Sequence, residues 1–242
     1  MLLGITTSPR PDGAFYLQKT VNSAIQAGFE DIIIFAEPGS PSVSAPACKV
    51  SLIQNQRQLG NYGNFASMAA LLLGFSRQST SKFIVTAEDD VVFCKNAREK
   101  ISDKAYAPSS EADFGFFAAY SSSCHQDHVP ENSVVPIKTS SLWGACCLVW
   151  TPESLAATIN HFDFRSWRGL DDNKPSVGDP RIKHVDTCIS KVLSKLGRKM
   201  WFCNPSLVRH IGKVSSLRKI AWTAGRDCEE FEDDQKKEDR ID

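Results

Sequence analysis

Apolar runs alternate with amphipathic stretches along most of the chain, and together they predict strands connected by helices. In the first third, strand patterns cover Leu2–Thr6, Asp31–Phe35 and Lys49–Gln54. Helix patterns cover Phe15–Ala27 and, further on, about Phe65–Phe75. This order favours a single α/β domain with a mostly parallel central sheet and helices on both faces.

The second half of the chain is less regular, but it continues the same alternation. Its predicted elements are strands at Asp113–Tyr120, Leu142–Trp150 and Lys199–Cys203, a helix opened by Thr151 and Pro152, and a helix at Val185–Leu196. Two polar segments, Ser121–Thr139 and Phe162–Pro180, are predicted to be long loops of the type that binds ligands. We therefore assign residues 1–220 to one domain and residues 221–242 to a charged C-terminal tail.

One predicted strand, within Lys82–Asp90, ends abruptly in three acids, Glu88, Asp89 and Asp90. Carboxylates at a sheet edge repel one another unless positive charge lies among them, and Mg²⁺ and Mn²⁺ prefer oxygen ligands. Open α/β sheets usually bind ligands at the carboxyl ends of their strands. The triplet therefore indicates either a metal–diphosphate site or an acidic turn in solvent.

The composition narrows the functional classes. Of 242 residues, 42% are hydrophobic and 23% charged, as in ordinary globular proteins, and the formal net charge is zero. The chain therefore has no overall positive electrostatic field that would attract nucleic acid or an anionic membrane. We see no membrane-spanning run and no signal-peptide pattern, and the eight cysteines lack metal-ligand spacing. We expect a cytoplasmic protein with reduced thiols.

Polar residues near the predicted sheet edge are candidates for nucleotide binding. Thr6, Thr7 and Arg10 follow the first strand and offer hydroxyls and a guanidinium to a nucleotide base and diphosphate. Neither Gly-rich phosphate motif is present, which argues against a Rossmann dehydrogenase and a P-loop NTPase. Asn61 and Asn64 lie in a Gly/Asn-rich run before a helix, where Asn64 is equally suited to be the helix N-cap.

Three later residues are candidates for a general base, a metal ligand and a phosphate-binding group. Asp186, at the start of a helix, is either a general base for a hydroxyl nucleophile or a carboxylate that complements the helix dipole. His210 either completes a divalent metal site or is structural. Lys213 is placed to bind phosphate oxygens.

Taken in order, these features resemble glycosyltransferases of the GT-A fold. That family has a DxD-like metal motif, a glycine loop, an acidic catalytic motif and a C-terminal histidine. The corresponding residues here are Glu88-Asp89-Asp90, Trp143-Gly144-Ala145, Asp186 and His210. The match covers about residues 1–220 and is most specific over Asp186–Gly212. The chain is also loosely similar to the N-acetylglucosaminyltransferases that branch N-glycans.

The resemblance implies an inverting, metal-dependent transfer of a hexosyl or N-acetylhexosaminyl group from a UDP-sugar to a glycan or other hydroxyl acceptor. Mn²⁺ or Mg²⁺ would be held by Asp90 and His210, and Asp186 would be the base. Contacts to the nucleotide-sugar are expected from Thr6, Thr7, Arg10, Asn61, Asn64, Glu88, Asp89, Gly144 and Lys213.

The chain also departs from the family pattern. The Glu that often precedes the catalytic Asp is absent before Asp186, so Asp171, Asp172 and Asp179 compete with it as the base. The membrane anchor and stem of secretory members are not seen, which favours a bacterial or otherwise cytosolic enzyme. Two other classes stay open, namely a sugar-phosphate nucleotidyltransferase and a non-catalytic nucleotide- or glycan-binding domain of the same fold.

Overall fold

The structure is a computed structural model that describes residues 1–10, 16–44, 49–122, 125, 127–137, 142, 144–167 and 184–212. Several residues singled out by the sequence lie outside this part of the chain. They are Trp143, the competing acids Asp171, Asp172 and Asp179, Lys213, and the predicted tail 221–242.

The described chain contains alternating strands and helices. The strands are β1 (Leu2–Thr7), β2 (Asp31–Ala36), β3 (Lys49–Gln54), β4 (Ile84–Glu88), β5 (Val91–Phe93), β6 (Phe114–Ala118), β7 (Ser133–Ile137), β8 (Cys147–Trp150), β9 (Lys199–Asn204) and β10 (Val208–His210). The helices are α1 (Leu17–Gln26), α2 (Gly60–Ser76), α3 (Ala97–Tyr106), α4 (Pro152–Asn160), α5 (Phe162–Arg165) and α6 (Val185–Lys195), with a 3₁₀ turn at Pro108–Ser110.

Eight strands form one sheet in the order β3-β2-β1-β4-β8-β6-β9-β7. Strands β3, β2, β1 and β4 are parallel, and β6 and β9 are parallel to each other. Strand β8 runs antiparallel to both β4 and β6, and β7 runs antiparallel to β9. Six strands therefore point the same way, which confirms the predicted α/β class and its mostly parallel central sheet.

Helices cover both faces of this sheet. Alternate residues of β1 point to opposite sides, so Leu3 and Ile5 join one buried cluster with α1 and α3. Leu2 joins a second cluster with α2, α4, α5 and α6. Gly4 faces α2 at a point where a Cβ would lie 2.5 Å from Leu72 Cδ1. A larger residue there would have to displace the side-chain ends of Leu72 and Met68, because the strand and the helix approach so closely.

A separate two-stranded sheet lies beside the carboxyl end of β4. Strand β5 follows β4 after only two residues and pairs antiparallel with β10, which places His210 opposite Val91. This pairing brings a residue from near the end of the described chain next to the acidic triplet.

Four local features differ from the predictions, and the first is helix α5, which lies in the segment Phe162–Pro180 that was predicted to be a loop. Helix α2 begins at Gly60, five residues earlier than predicted, and Asn64 therefore lies inside the helix instead of capping it. Helix α3 was not predicted. Strand β7 lies within the segment that was predicted to be a polar loop. Among the described helices, none combines the length and apolar character needed to cross a membrane.

Candidate active site

The acidic triplet lies at the carboxyl end of β4 and is withdrawn from solvent. Glu88 is the last residue of β4, and Asp89 and Asp90 connect it to β5, with exposed fractions of 6% and 4%. Thr20 of α1 holds this turn, because its Oγ1 donates to the Asp89 carbonyl at 2.7 Å and accepts from the Val91 N–H at 3.2 Å. Burial of both aspartates excludes the solvated acidic turn.

Residues after β1 supply the positive charge that the triplet requires. The Arg10 guanidinium donates to Asp89 Oδ1 and lies 2.9 Å from Asp90 Oδ2. The Thr7 hydroxyl donates to Asp89 Oδ2 at 2.5 Å. Burial alone would lower the pKa of Arg10, but the charges of the two aspartates raise it above its usual value. Arg10 is therefore a fixed cation within the cluster.

His210 is the second basic partner of the triplet. Its Nε2 lies 3.1 Å from Asp90 Oδ2. Burial alone would lower the pKa of His210, but the hydrogen bond and charge of Asp90 raise it. Burial likewise tends to raise the pKa of Asp90, but the hydrogen bond and charge of His210, together with Arg10, lower it. Asp90 is thus the ionised acceptor of the pair.

Two observations indicate that this cluster is suited to hold a divalent cation. Asp90 Oδ1 is buried and has no hydrogen-bond partner among the described residues, although its sister oxygen has two cationic neighbours. Ligand atoms of Glu88, Cys146 and His210 all lie within 4.8 Å of one another. Burial and then the Asp90 charge raise the pKa of Glu88 to about 7, so a further positive charge would favour its ionised form.

Asp186 lies in the first turn of α6, where the structure ties it to the predicted glycine loop. Its Oδ1 accepts the N–H of the next residue at 2.8 Å, and its Oδ2 accepts the Gly144 N–H at 3.4 Å. Gly144 has a φ of +83°, a left-handed conformation that favours glycine. Asn61 of α2 supports the same turn, since its Oδ1 accepts the Val185 N–H at 3.3 Å.

The base candidate and the triplet belong to one site. The negative charge of Asp186 adds to the effects of burial and of the neighbouring aspartates in raising the pKa of Glu88. Residues 144–146 connect the two, because Gly144 contacts Asp186 and the Cys146 carbonyl accepts the Glu88 N–H at 3.0 Å. Asp186 itself is only partly buried.

Thr6 and Asn64 lie at the same sheet edge but are engaged by protein groups. The Thr6 hydroxyl donates to the Ala87 carbonyl at 3.4 Å. Asn64 is buried, and its side-chain amide donates to the carbonyls of Thr7 and Phe35 at 3.2 and 3.3 Å. These contacts show how both residues stabilise the site, and their binding to a nucleotide-sugar stays a prediction.

Sequence reasoning missed two residues that shape the site. Cys146 was counted with the apolar cysteines, but burial and then the Glu88 carboxylate raise the pKa of its thiol well above the usual value. Glu37 directly follows β2, and its Oε1 accepts the N–H groups of Leu59 and Gly60 at 2.8 and 2.6 Å. No spacing signal in the sequence connects either residue to its partners.

Comparisons with known proteins identify the fold of the chain that carries this site. No family model and no curated protein sequence matches the chain. It is similar to the crystal structure of S. aureus TarS, with a TM-score of 0.52 and 10% identity over 88% of this chain and 37% of TarS. It is also similar to GalNAc-T7 crystallised with UDP, GalNAc and Mn²⁺, with a TM-score of 0.51 and 12% identity over 89% of this chain and 44% of that one.

Both neighbours are GT-A-type glycosyltransferases, and the predicted GT-A fold is thereby confirmed. This chain spans less than half the length of either protein. At identities of 10% and 12% the likeness establishes the fold. The activity has to be argued from the side chains of the site.

Proposed function

We propose that this chain is a metal-dependent glycosyltransferase that moves a hexosyl or N-acetylhexosaminyl group from a UDP-sugar to an acceptor hydroxyl. The observation that carries the proposal is the Glu88-Asp89-Asp90 cluster, whose two aspartates are buried. It lies at the carboxyl end of a parallel strand in a GT-A fold, with His210 at 3.1 Å from Asp90. That edge is where open α/β sheets bind ligands. The GalNAc-T7 structure, with UDP, GalNAc and Mn²⁺, supports the substrate class.

Asp90 and His210 are the proposed ligands of Mn²⁺ or Mg²⁺. The orphaned Asp90 Oδ1 offers a carboxylate oxygen, the donor that hard divalent cations prefer, and His210 Nε2 lies 3.1 Å from the other oxygen of the same carboxylate. A bound cation supplies Lewis-acid stabilisation of the charge that develops on the departing diphosphate. Glu88 and Asp89 orient this end of the site, and Arg10 neutralises the aspartates between which it lies.

Asp186 is the proposed general base. Its carboxylate removes the proton of the acceptor hydroxyl as the hydroxyl oxygen attacks the anomeric carbon. The bond from that carbon to the UDP oxygen breaks on the opposite face, so the configuration inverts. The Gly144 and Thr187 N–H groups hold the Asp186 carboxylate in place.

The test is UDP release from a panel of UDP-hexoses and UDP-N-acetylhexosamines, with mixed acceptor sugars and Mn²⁺. We expect Asp186→Asn to lower transfer by about 10²–10⁴-fold, the usual contribution of a general base. Its Mn²⁺-dependent UDP binding should stay close to wild type. Asp103→Asn, at an exposed position of α3, is the matched control.

Two results would count against this proposal. Transfer by Asp186→Asn at the wild-type rate would remove Asp186 from the role of base. If the wild-type protein releases UDP from none of the donors, the result would favour a non-catalytic nucleotide- or glycan-binding domain of the same fold. A nucleoside triphosphate and a sugar phosphate, supplied together, would give a nucleotide-sugar only if the chain is a nucleotidyltransferase.

A further inference from the structure

Cys146 places a sulfur atom in a site otherwise built from hard ligands. The thiol follows the glycine turn at Gly144 and is 6% exposed. Its Sγ lies within 4.8 Å of a carboxylate oxygen of Glu88 and a ring nitrogen of His210. Buried cysteines usually contact apolar side chains, so a thiol directed at a carboxylate and an imidazole is an unusual use of this residue.

The geometry points to a second cation site, formed by Glu88, Cys146 and His210, that takes a thiophilic divalent ion such as Zn²⁺ or Co²⁺. The three ligand atoms lie within 4.8 Å of one another. Zinc bonds are about 2.3 Å to sulfur and about 2.0–2.2 Å to nitrogen and oxygen, so tetrahedral ligands lie roughly 3.3–3.8 Å apart. A closure of at most about 1.5 Å would complete this arrangement and leave a fourth position open, as in catalytic zinc sites.

The ligand chemistry separates this set from the Asp90 set. Thiolate and imidazole together select zinc-like ions, whereas carboxylate oxygens suit Mn²⁺ and Mg²⁺. Binding replaces the Cys146 proton, which leaves to solvent, with a metal–sulfur bond. The order of stability of divalent complexes also places Co²⁺ and Zn²⁺ above Mn²⁺.

His210 belongs both to the Asp90 set and to the set of Glu88 and Cys146. Because the two sets share this imidazole, an ion bound at one affects binding at the other. Its Nε2 faces Asp90 in the present structure, and the same ring lies within reach of Glu88 and Cys146. An ion held by the thiolate set occupies the imidazole that the Mn²⁺ site requires. We therefore expect Zn²⁺ to compete with Mn²⁺. This competition, unlike the thiolate site itself, rests on the function proposed above.

Cobalt provides a readout that is independent of enzyme activity. Cys48, Cys124 and Cys228 lie outside the described residues, so the background protein carries serine at these three positions. The metal-free background protein is titrated with Co²⁺ in the absence of nucleotide. Cobalt bound to a thiolate gives a sulfur-to-cobalt charge-transfer band in the near ultraviolet, and we expect this band to saturate at one ion per chain and to disappear when Zn²⁺ is added.

Two variants and one matched control assign the band. Cys146→Ala should remove it and lower Zn²⁺ affinity by at least about 100-fold, since changes outside the direct ligands already cost about 10–100-fold. His210→Ala, which keeps the thiol, should weaken Co²⁺ binding. Cys147→Ala is the control, because Cys147 is equally buried, with 0% exposure, but is not one of the clustered ligands.

The inference is overturned if the background protein gives no charge-transfer band, or if Cys146→Ala retains it. Either result leaves the proposed function standing, because Mn²⁺-dependent UDP binding is measured in a separate titration. Failure of that titration would in turn leave the cobalt band intact, so the two failures are distinguishable.

Discussion

Glu88→Gln is expected to make the metal-free protein more stable at neutral and higher pH. The Glu88 carboxyl lies next to two buried aspartates, and burial together with the Asp90 charge raises its pKa from 4.5 to about 7. Ionisation of Glu88 is therefore costlier in the folded state than in the unfolded chain. Glutamine has nearly the same shape and carries no charge, so it removes this cost.

The sign and the size of the effect follow from the two pKa values. Between pH 4.5 and about 7 the folded protein binds more protons at Glu88 than the unfolded chain does, so wild-type stability falls as the pH rises. Each pKa unit corresponds to about 1.4 kcal/mol, and the shift therefore gives about 3 kcal/mol once Glu88 is ionised. For a protein of this size, that corresponds to roughly 6–12 °C in Tm.

The assay is thermal unfolding of wild type and Glu88→Gln, without divalent cations, at pH values from 5 to 8. The Tm difference should be small at pH 5 and grow to its full size by pH 8. His210 also has a raised pKa, to which the Glu88 charge contributes, and stability from it is lost as the pH rises. The difference between the two proteins therefore reports Glu88 together with its interaction with His210. Glu131→Gln, at an exposed position, is the matched control.

A constant Tm difference from pH 5 to 8 would refute this reasoning, as would a Glu88→Gln protein that is less stable than wild type at pH 8. The same variant should respond less to added Mn²⁺ and UDP, because it lacks one of the carboxylates that surround the proposed cation. A gain in stability with a loss of ligand response is the pattern expected of a functional residue.

Two further predictions concern the groups that support the site. Arg10→Met removes the cation between two buried carboxylates, and we expect a loss of about 3–5 kcal/mol in urea unfolding, partly restored by Mn²⁺. Arg77→Met, at an exposed position, should be neutral, and an equal loss in both variants would contradict the role of Arg10. Glu37→Ala leaves two N–H groups at the start of α2 without an acceptor and should cost about 1–2 kcal/mol in the same assay. Glu37→Gln keeps an acceptor oxygen and should cost less, so equal losses would exclude the capping role.

Much of the fold was predictable from the sequence because its signals are local. The strand at Lys49–Gln54 was predicted with its observed bounds, and Thr151 caps α4 as expected, with a hydrogen bond to the Ser154 N–H at 3.1 Å. Helix α3 was missed, because only Ala97, Ile101 and Ala105 are buried among its otherwise polar residues. A narrow apolar stripe of this kind gives little periodic signal.

The proposed ligands are brought together by contacts that no local sequence pattern specifies. The pairing of β5 with β10 brings His210 to Asp90, which lies 120 residues earlier by number, and no local pattern specifies that pairing. The early start of α2 has a similar cause, since its cap is provided by Glu37, 23 residues before Gly60. The acidic triplet itself was visible because it interrupts an apolar run.

Calorimetric titration of UDP into the protein, with and without Mn²⁺, tests the central claim most directly. We predict that wild type binds UDP far more tightly with Mn²⁺, and that Asp90→Asn, which keeps the shape of the buried side chain, loses this metal-dependent part. UDP binding that is the same with and without Mn²⁺, or that is unchanged in Asp90→Asn, would contradict the assignment of the buried acidic cluster as a metal–diphosphate site.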